Sequence, residues 1–160
     1  MTTTSPLQNG TATLGQRPIA LVAWRATEAI LRHSQATLAR IDVTQPQWWA
    51  LNNIVSAEDG LTRDEIRAVA VPYGMGAEVM VHAVDALVHR GWLGIGADGR
   101  LTCTEEGHEG LATAKEHMDR VRAELLGDIT EEEYAAAVSV LQRIADNLAR
   151  TAATSTVASS

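Results

Sequence analysis

Leu87-Val88-His89-Arg90-Gly91-Trp92-Leu93-Gly94-Ile95-Gly96-Ala97-Asp98-Gly99-Arg100-Leu101-Thr102-Cys103-Thr104-Glu105-Glu106 changes periodicity three times in twenty residues. An apolar helix ends at Gly91, a residue suited to the left-handed turn that closes helices. Leu93–Ile95 and Leu101–Cys103 are short strand-like runs around Asp98-Gly99, a pairing favoured in tight hairpins. Thr104 followed by two glutamates then opens another helix, because its first turn favours negative charge. Helix, short ribbon, helix is therefore the centre of the chain.

Upstream, the helix leading into Gly91 begins near Gly76, after Pro72 and Gly74 break the chain. Two capping boxes precede it. Thr44 with Gln47 opens a helix through Trp48, Leu51, Ile54 and Val55, and Thr62 with Glu65 opens one through Ile66, Val69 and Ala70. From Arg17 to Ile41, Trp24, Leu31 and Leu38 recur every seven residues in a long amphipathic pattern. Downstream, Leu111, Ala114, Met118, Val121 and Leu125 step by three and four, and Thr130 with Glu133 caps a last helix carrying Tyr134, Val138, Leu141, Ala145 and Leu148. Residues 1–16 and 151–160 read as flexible tails around a folded domain over 17–150.

The composition sets bounds on function. In 160 residues, 46% are apolar and 21% charged, which suits one domain with a real core. A single cysteine excludes an intramolecular disulfide framework, and the start of the chain shows no secretory pattern, so a cytoplasmic protein is expected. No apolar run approaches the length of a membrane span. Thirteen basic residues against twenty acidic ones leave a net charge of −7, so any nucleic-acid role has to rest on a local patch.

The order of elements and several phrases resemble the multiple-antibiotic-resistance-regulator (MarR) family across about residues 17–150. Thr44-Gln45-Pro46-Gln47-Trp48-Trp49-Ala50-Leu51 looks like that family's entry to its second helix, and Gly60-Leu61-Thr62 with Glu65-Ile66 like the start of its third. Val84 through Leu93, with its Arg90-Gly91 pair, is similar to the end of the recognition helix, and Leu101-Thr102 with Thr104-Glu105-Glu106-Gly107 to the wing's exit. The resemblance implies a mainly α fold with a short β-hairpin wing. It implies a winged helix-turn-helix lobe over about 44–103, and dimerisation helices over about 17–41 and 104–150 that interlock in a homodimer. It further implies binding of double-stranded operator DNA and of a small-molecule effector. Neither the first helix nor the last two could bury their apolar faces on so small a lobe, which independently calls for a second copy.

On that alignment the DNA-facing residues are Arg63, Arg67, Gly76, Ala77, Val79, His82, Arg90 and Arg100, with Ala86 on the same outward face. The recognition helix offers no Arg, Lys, Ser or Thr at its base-reading positions, and the wing that carries Asp98-Gly99-Arg100 is short. From Glu58 to Glu106 nine acids face four arginines. An alternative therefore stands beside the regulator: a MarR-type scaffold that no longer reads DNA and binds or transforms a small molecule. Under it Glu78, His82, Asp85 and His89, which share one helical stripe, supply candidate acid/base groups, with His82, Asp85 and His89 in the catalytic role. The plain reading of that stripe is a solvated helix face.

Trp24, Trp48 and Trp49, with Arg25, His33 and Tyr73, are the candidate effector-binding residues, because the first and second helices border the family's ligand cavity. Adjacent tryptophans on a helix point about 100° apart, so one of Trp48 and Trp49 is expected in the core. Cys103, Glu105, His108 and His117 do not space as a zinc signature, so no metal is expected. No nucleophile–base pair, phosphate-binding glycine loop or dinucleotide fingerprint is present, and no cofactor is expected.

Overall fold

The computed structural model describes residues 14–157. A 3₁₀ turn at Leu14–Gln16 leads into α1 (Ile19–Ala39), followed by α2 (Gln45–Ser56) and α3 (Arg63–Ala70). A second 3₁₀ turn, Val71–Tyr73, precedes α4 (Ala77–His89), strands β1 (Leu93–Ile95) and β2 (Leu101–Cys103), then α5 (Glu105–Leu126) and α6 (Glu131–Val157). All expected elements are present. The chain divides into two compact units, one up to Lys115 and one from Glu116 onward, with the division inside α5.

Three helices start where their capping boxes predict. The Thr44 hydroxyl accepts from Gln47 N–H at 3.3 Å while Gln47 Oε1 accepts from Thr44 N–H at 3.0 Å. Thr62 with Glu65 and Thr130 with Glu133 repeat the exchange. These bonds favour the charged carboxylates, so the Glu65 and Glu133 carboxyls are held below their ordinary value of 4.5, chiefly by backbone hydrogen bonds from Thr62 and Thr130. A depressed folded-state value contributes stability that is complete above the unfolded value and lost as pH falls through the folded one. Unfolding midpoints measured from pH 6 to pH 3 are thus expected to fall below about pH 4.5, and Glu65→Gln with Glu133→Gln to flatten that decline. An unchanged acid limb in the double variant would remove the two carboxylates from the explanation.

In the first unit, α2, α3, α4 and the hairpin enclose one core. Leu51 and Ile54 of α2, Ile66 and Ala70 of α3, and Met80, Val84 and Leu87 of α4 are buried with Leu93 and Leu101 from the strands. Their three- and four-residue spacings place each set on one helix face. The strands pair antiparallel with Gly94 opposite Thr102. Sequence reasoning did not anticipate that Leu61 joins this ribbon, exchanging backbone hydrogen bonds with Leu101 at 3.2 and 2.8 Å. Gly60 makes the approach possible: its φ is +71°, and a Cβ there would lie 2.2 Å from Leu101 O.

Thr104 closes the hairpin onto α5. Its hydroxyl donates to Gly91 O and accepts from Gly107 N–H, and its N–H bonds Trp92 O at 3.0 Å.

In the second unit Arg122 bonds Glu131 at 2.9 Å and stacks over the Tyr134 ring. Helix α6 runs to Val157, past the boundary near residue 150 that the sequence suggested. Ala152 and Ala153 favour helix, and the Thr151 and Thr154 hydroxyls bond back to the carbonyls of Asn147 and Arg150, so the polar composition that reads as a tail is accommodated within the helix. Most of the expected N-terminal tail, residues 1–13, and residues 158–160 lie outside the described residues.

Candidate nucleic-acid interface and small-molecule cavities

Helix α4 buries Met80, Ala83, Val84 and Leu87 and exposes Glu78, Val79, His82, Asp85, Ala86 and His89. The acid-and-histidine stripe read from the sequence is thus the outward face of the helix, beside Val79 at 45% exposure. Gly76 occupies the N-cap without a side-chain cap, and Ala77 is half-buried. A DNA groove meeting this face would encounter two carboxylates, two imidazoles and apolar groups.

The four arginines expected to hold phosphates are all engaged by groups of the first unit. Arg63 Nη1 donates to Asp85 Oδ1 at 2.5 Å, linking α3 to the outward face of α4. Arg67 pairs with Asp64 at 2.8 Å. Arg100 folds back from the hairpin: Nη1 donates to Gly60 O at 3.0 Å and lies 3.4 Å from Glu65 Oε2. Arg90 donates to Asp42 O at 2.6 Å and stacks over the Trp92 ring at 4.0 Å. Asp42 has φ +55°, a left-handed conformation that Asp tolerates better than most residues. Solvent-facing pairs of this kind are weak and exchangeable, so a phosphate can compete for Arg63 and Arg67. Arg90 and Arg100 are held by carbonyls as well as carboxylates and are less free to turn outward.

None of the three cavities described here is lined by more than one of the candidate effector residues. Trp24 is 67% exposed on α1 and lines a cavity of about 280 Å³ with Thr27, Glu28, Leu31, Arg32 and Gln35. Arg25 and His33 are exposed on the same helix, and neither lines that cavity. Trp49 packs against the lobe core, the packing role expected of one of the pair, and Trp48 is half-buried. The backbone of Tyr73 lies in the 3₁₀ turn before α4.

Two further cavities were not anticipated. One, of about 270 Å³, sits at the α1–α2 turn and is lined by Gln35, Ala39, Val43, Thr44, Gln45 and Pro46. The signal for it was weak: a glutamine between Val43 and Pro46 that the capping box does not use. The other, of about 170 Å³, lies beside β2 between Glu58, Cys103 and His108. Burial pushes the Cys103 thiol up, so it stays a protonated thiol at neutral pH. Among the described residues no three His, Cys, Asp or Glu side chains converge to hold a metal ion, and no helix is long and apolar enough to cross a membrane.

These features define a winged helix-turn-helix lobe flanked in sequence by long helices. No protein-family model matches the chain, and no curated protein matches it in sequence. Solved structures do match. A MarR-family transcriptional regulator from Rhodococcus sp. RHA1 is 22% identical, with TM-score 0.70 over 84% of this chain and 98% of that one. CouR from Rhodococcus jostii RHA1, solved bound to p-coumaroyl-CoA, is 21% identical, with TM-score 0.70 over 84% and 96%. A MarR-family protein of Mycobacterium tuberculosis in complex with DNA is 18% identical, with TM-score 0.65 over 81% and 98%. The chain has the winged-helix fold of the MarR-family regulators.

Proposed function

We propose that the chain is a MarR-family, ligand-responsive transcriptional regulator that binds operator DNA as a homodimer. The observation that carries this reading is the correspondence of fold, over 81–84% of the chain, with regulators of that family, one of them in complex with DNA and another with an acyl-CoA. The apolar surface of the long helices supports the dimer. Ile19, Leu21, Val22, Trp24 and Ile30 of α1 and Val138, Leu141 and Leu148 of α6 are exposed, with Leu148 67% open. Faces of this size and spacing are covered most economically by an identical partner.

Two measurements test it. Light scattering is expected to give twice the chain mass, and Leu148→Asp, which would bury a charge in the seam, to shift it towards the single-chain mass. Titration with the DNA upstream of the chain's own coding sequence, and with random duplex, is expected to show site preference and an affinity that falls steeply with salt. Absence of duplex binding at low salt would sink the regulator.

A second reading rests on a specific observation: the four lobe arginines are occupied internally, and the outward face of α4 carries Glu78 and Asp85. It keeps the scaffold and its ligand but not the DNA. Catalysis by His82, Asp85 and His89 has less support than binding, because α4 lines none of the three cavities described above and Asp85 is engaged by Arg63.

A further inference from the structure

We infer that Arg100 is a positioning residue that latches the hairpin onto the first turn of α3, so that the chain meets a duplex through α3 and α4 while the wing leaves the minor groove unread. The inference rests on the DNA-binding reading and sharpens it. The guanidinium is committed at the root of the wing: Nη1 donates to Gly60 O at 3.0 Å and lies 3.4 Å from Glu65 Oε2, and Nε stands 4.0 Å from Asp98 Oδ2. Glu65 Oε2 is also the oxygen that accepts the Thr62 N–H at 2.7 Å, so Arg100 grips the α3 cap itself. The backbone is stitched at the same place. Leu61 and Leu101, the residues next to Gly60 and Arg100, exchange two hydrogen bonds, and a Cβ on Gly60 would lie 2.2 Å from Leu101 O. Side-chain and backbone bonds thus hold the same two segments together.

What remains at the tip is poorly suited to a groove. Arg100 O accepts from Gly96 N–H at 2.8 Å, one step beyond the Ile95–Leu101 pair, which leaves a turn of only Ala97, Asp98 and Gly99. Ile95 to Gly99 are exposed, whereas the Arg100 side chain is 34% open. Asp98 is the one charge on that exposed run, and it is negative. A narrow minor groove draws in arginine through its negative potential, and the same potential repels a carboxylate. Turning Arg100 towards DNA would break its contact with Glu65 and take a charged donor from the carbonyl of a buried glycine. Arg63 and Arg67 differ, because each holds only a solvent-facing carboxylate and stays exchangeable.

The test uses the full chain, the duplex upstream of its own coding sequence, and the same duplex with every adenine replaced by 2,6-diaminopurine. That base adds an amino group in the minor groove and keeps the major-groove N7 and N6 of adenine. The chain is expected to bind the two duplexes within about threefold, where loss of a minor-groove contact would cost about tenfold or more. Arg100→Ala is expected to keep that ratio and the slope of log affinity against log salt, and to melt a few degrees lower. Arg100→Lys, which retains a donor for Gly60 O, is expected to recover most of the lost midpoint. A tenfold penalty for the modified duplex, a slope shallower by about 0.9 for each Arg100 removed, or an unchanged melting midpoint in Arg100→Ala each overturns the inference. The two-duplex comparison needs no variant, so it decides alone if Arg100→Ala fails to fold. Absence of duplex binding at low salt sinks the regulator instead, and the midpoints of Arg100→Ala and Arg100→Lys then judge the latch by themselves.

Discussion

A Gly107→Ala variant is expected to lose about 3 kcal/mol or more of stability, read as a lower urea midpoint with an unchanged slope. Gly107 is buried in the first turn of α5, and a Cβ on it would lie 2.1 Å from Trp92 O and 2.7 Å from Cys103 Sγ. Neither neighbour can withdraw easily. Trp92 O accepts the Thr104 N–H that closes the hairpin, and the Trp92 ring is so close to α5 that a Cβ on Gly110 would lie 2.3 Å from it. Relief would have to move the hairpin off the helix and expose Leu93 and Leu101. Gly94→Ala is the matched control, since its Cβ would meet only Thr102 and Thr104 atoms at 3.9 Å. It is expected to cost no more than about 1 kcal/mol. Equal midpoints for Gly107→Ala and the unmodified chain would show that the hairpin and α5 do not meet as described.

The reach of sequence reasoning divides along the same line between local and tertiary constraint. Thr44, Thr62 and Thr130 announced their helices because a cap is completed three residues away, and Asp98-Gly99 announced the hairpin because the turn conformation belongs to those residues. The long-range partners were silent. Arg63 and Asp85 are 22 residues apart, and Arg100 reaches Gly60 across 40. No local pattern encodes either meeting, so arginines that read as a phosphate-holding set are found holding the lobe's own acids and carbonyls. The tryptophans are silent about their partners for a related reason. Trp24 follows the seven-residue spacing of α1 and Trp49 the core-facing period of α2, and periodicity assigns each to a face without saying which faces meet. Gln45 carried the least signal, because burial of a polar side chain beside a cap depends on how α1 leads into α2.

Replacing Asp85 by Asn is expected to strengthen duplex binding by about tenfold at low salt, the opposite of what loss of a recognition-helix side chain usually does. Asp85 is 52% open on the outward side of α4 and bonds Arg63 from α3. As it stands, the pair presents no net charge where phosphates would lie, and the carboxylate opposes their approach. Asn removes that charge and loosens the hold on Arg63, freeing a guanidinium for a phosphate. One added phosphate contact steepens the dependence of log affinity on log salt by about 0.9. The fold is expected to tolerate the change, because a solvent-facing pair contributes about 0–1 kcal/mol. Arg63→Ala should weaken binding and make the slope shallower, and Asp85→Asn on the Arg63→Ala background should recover only the part due to repulsion. Fluorescence anisotropy across a salt series measures all four chains. If Asp85→Asn leaves both affinity and slope unchanged, α4 does not face the duplex. If instead it weakens binding at one base position only, Asp85 is accepting from a cytosine amino group, and the acidic face of α4 is a means of reading DNA and not a barrier to it.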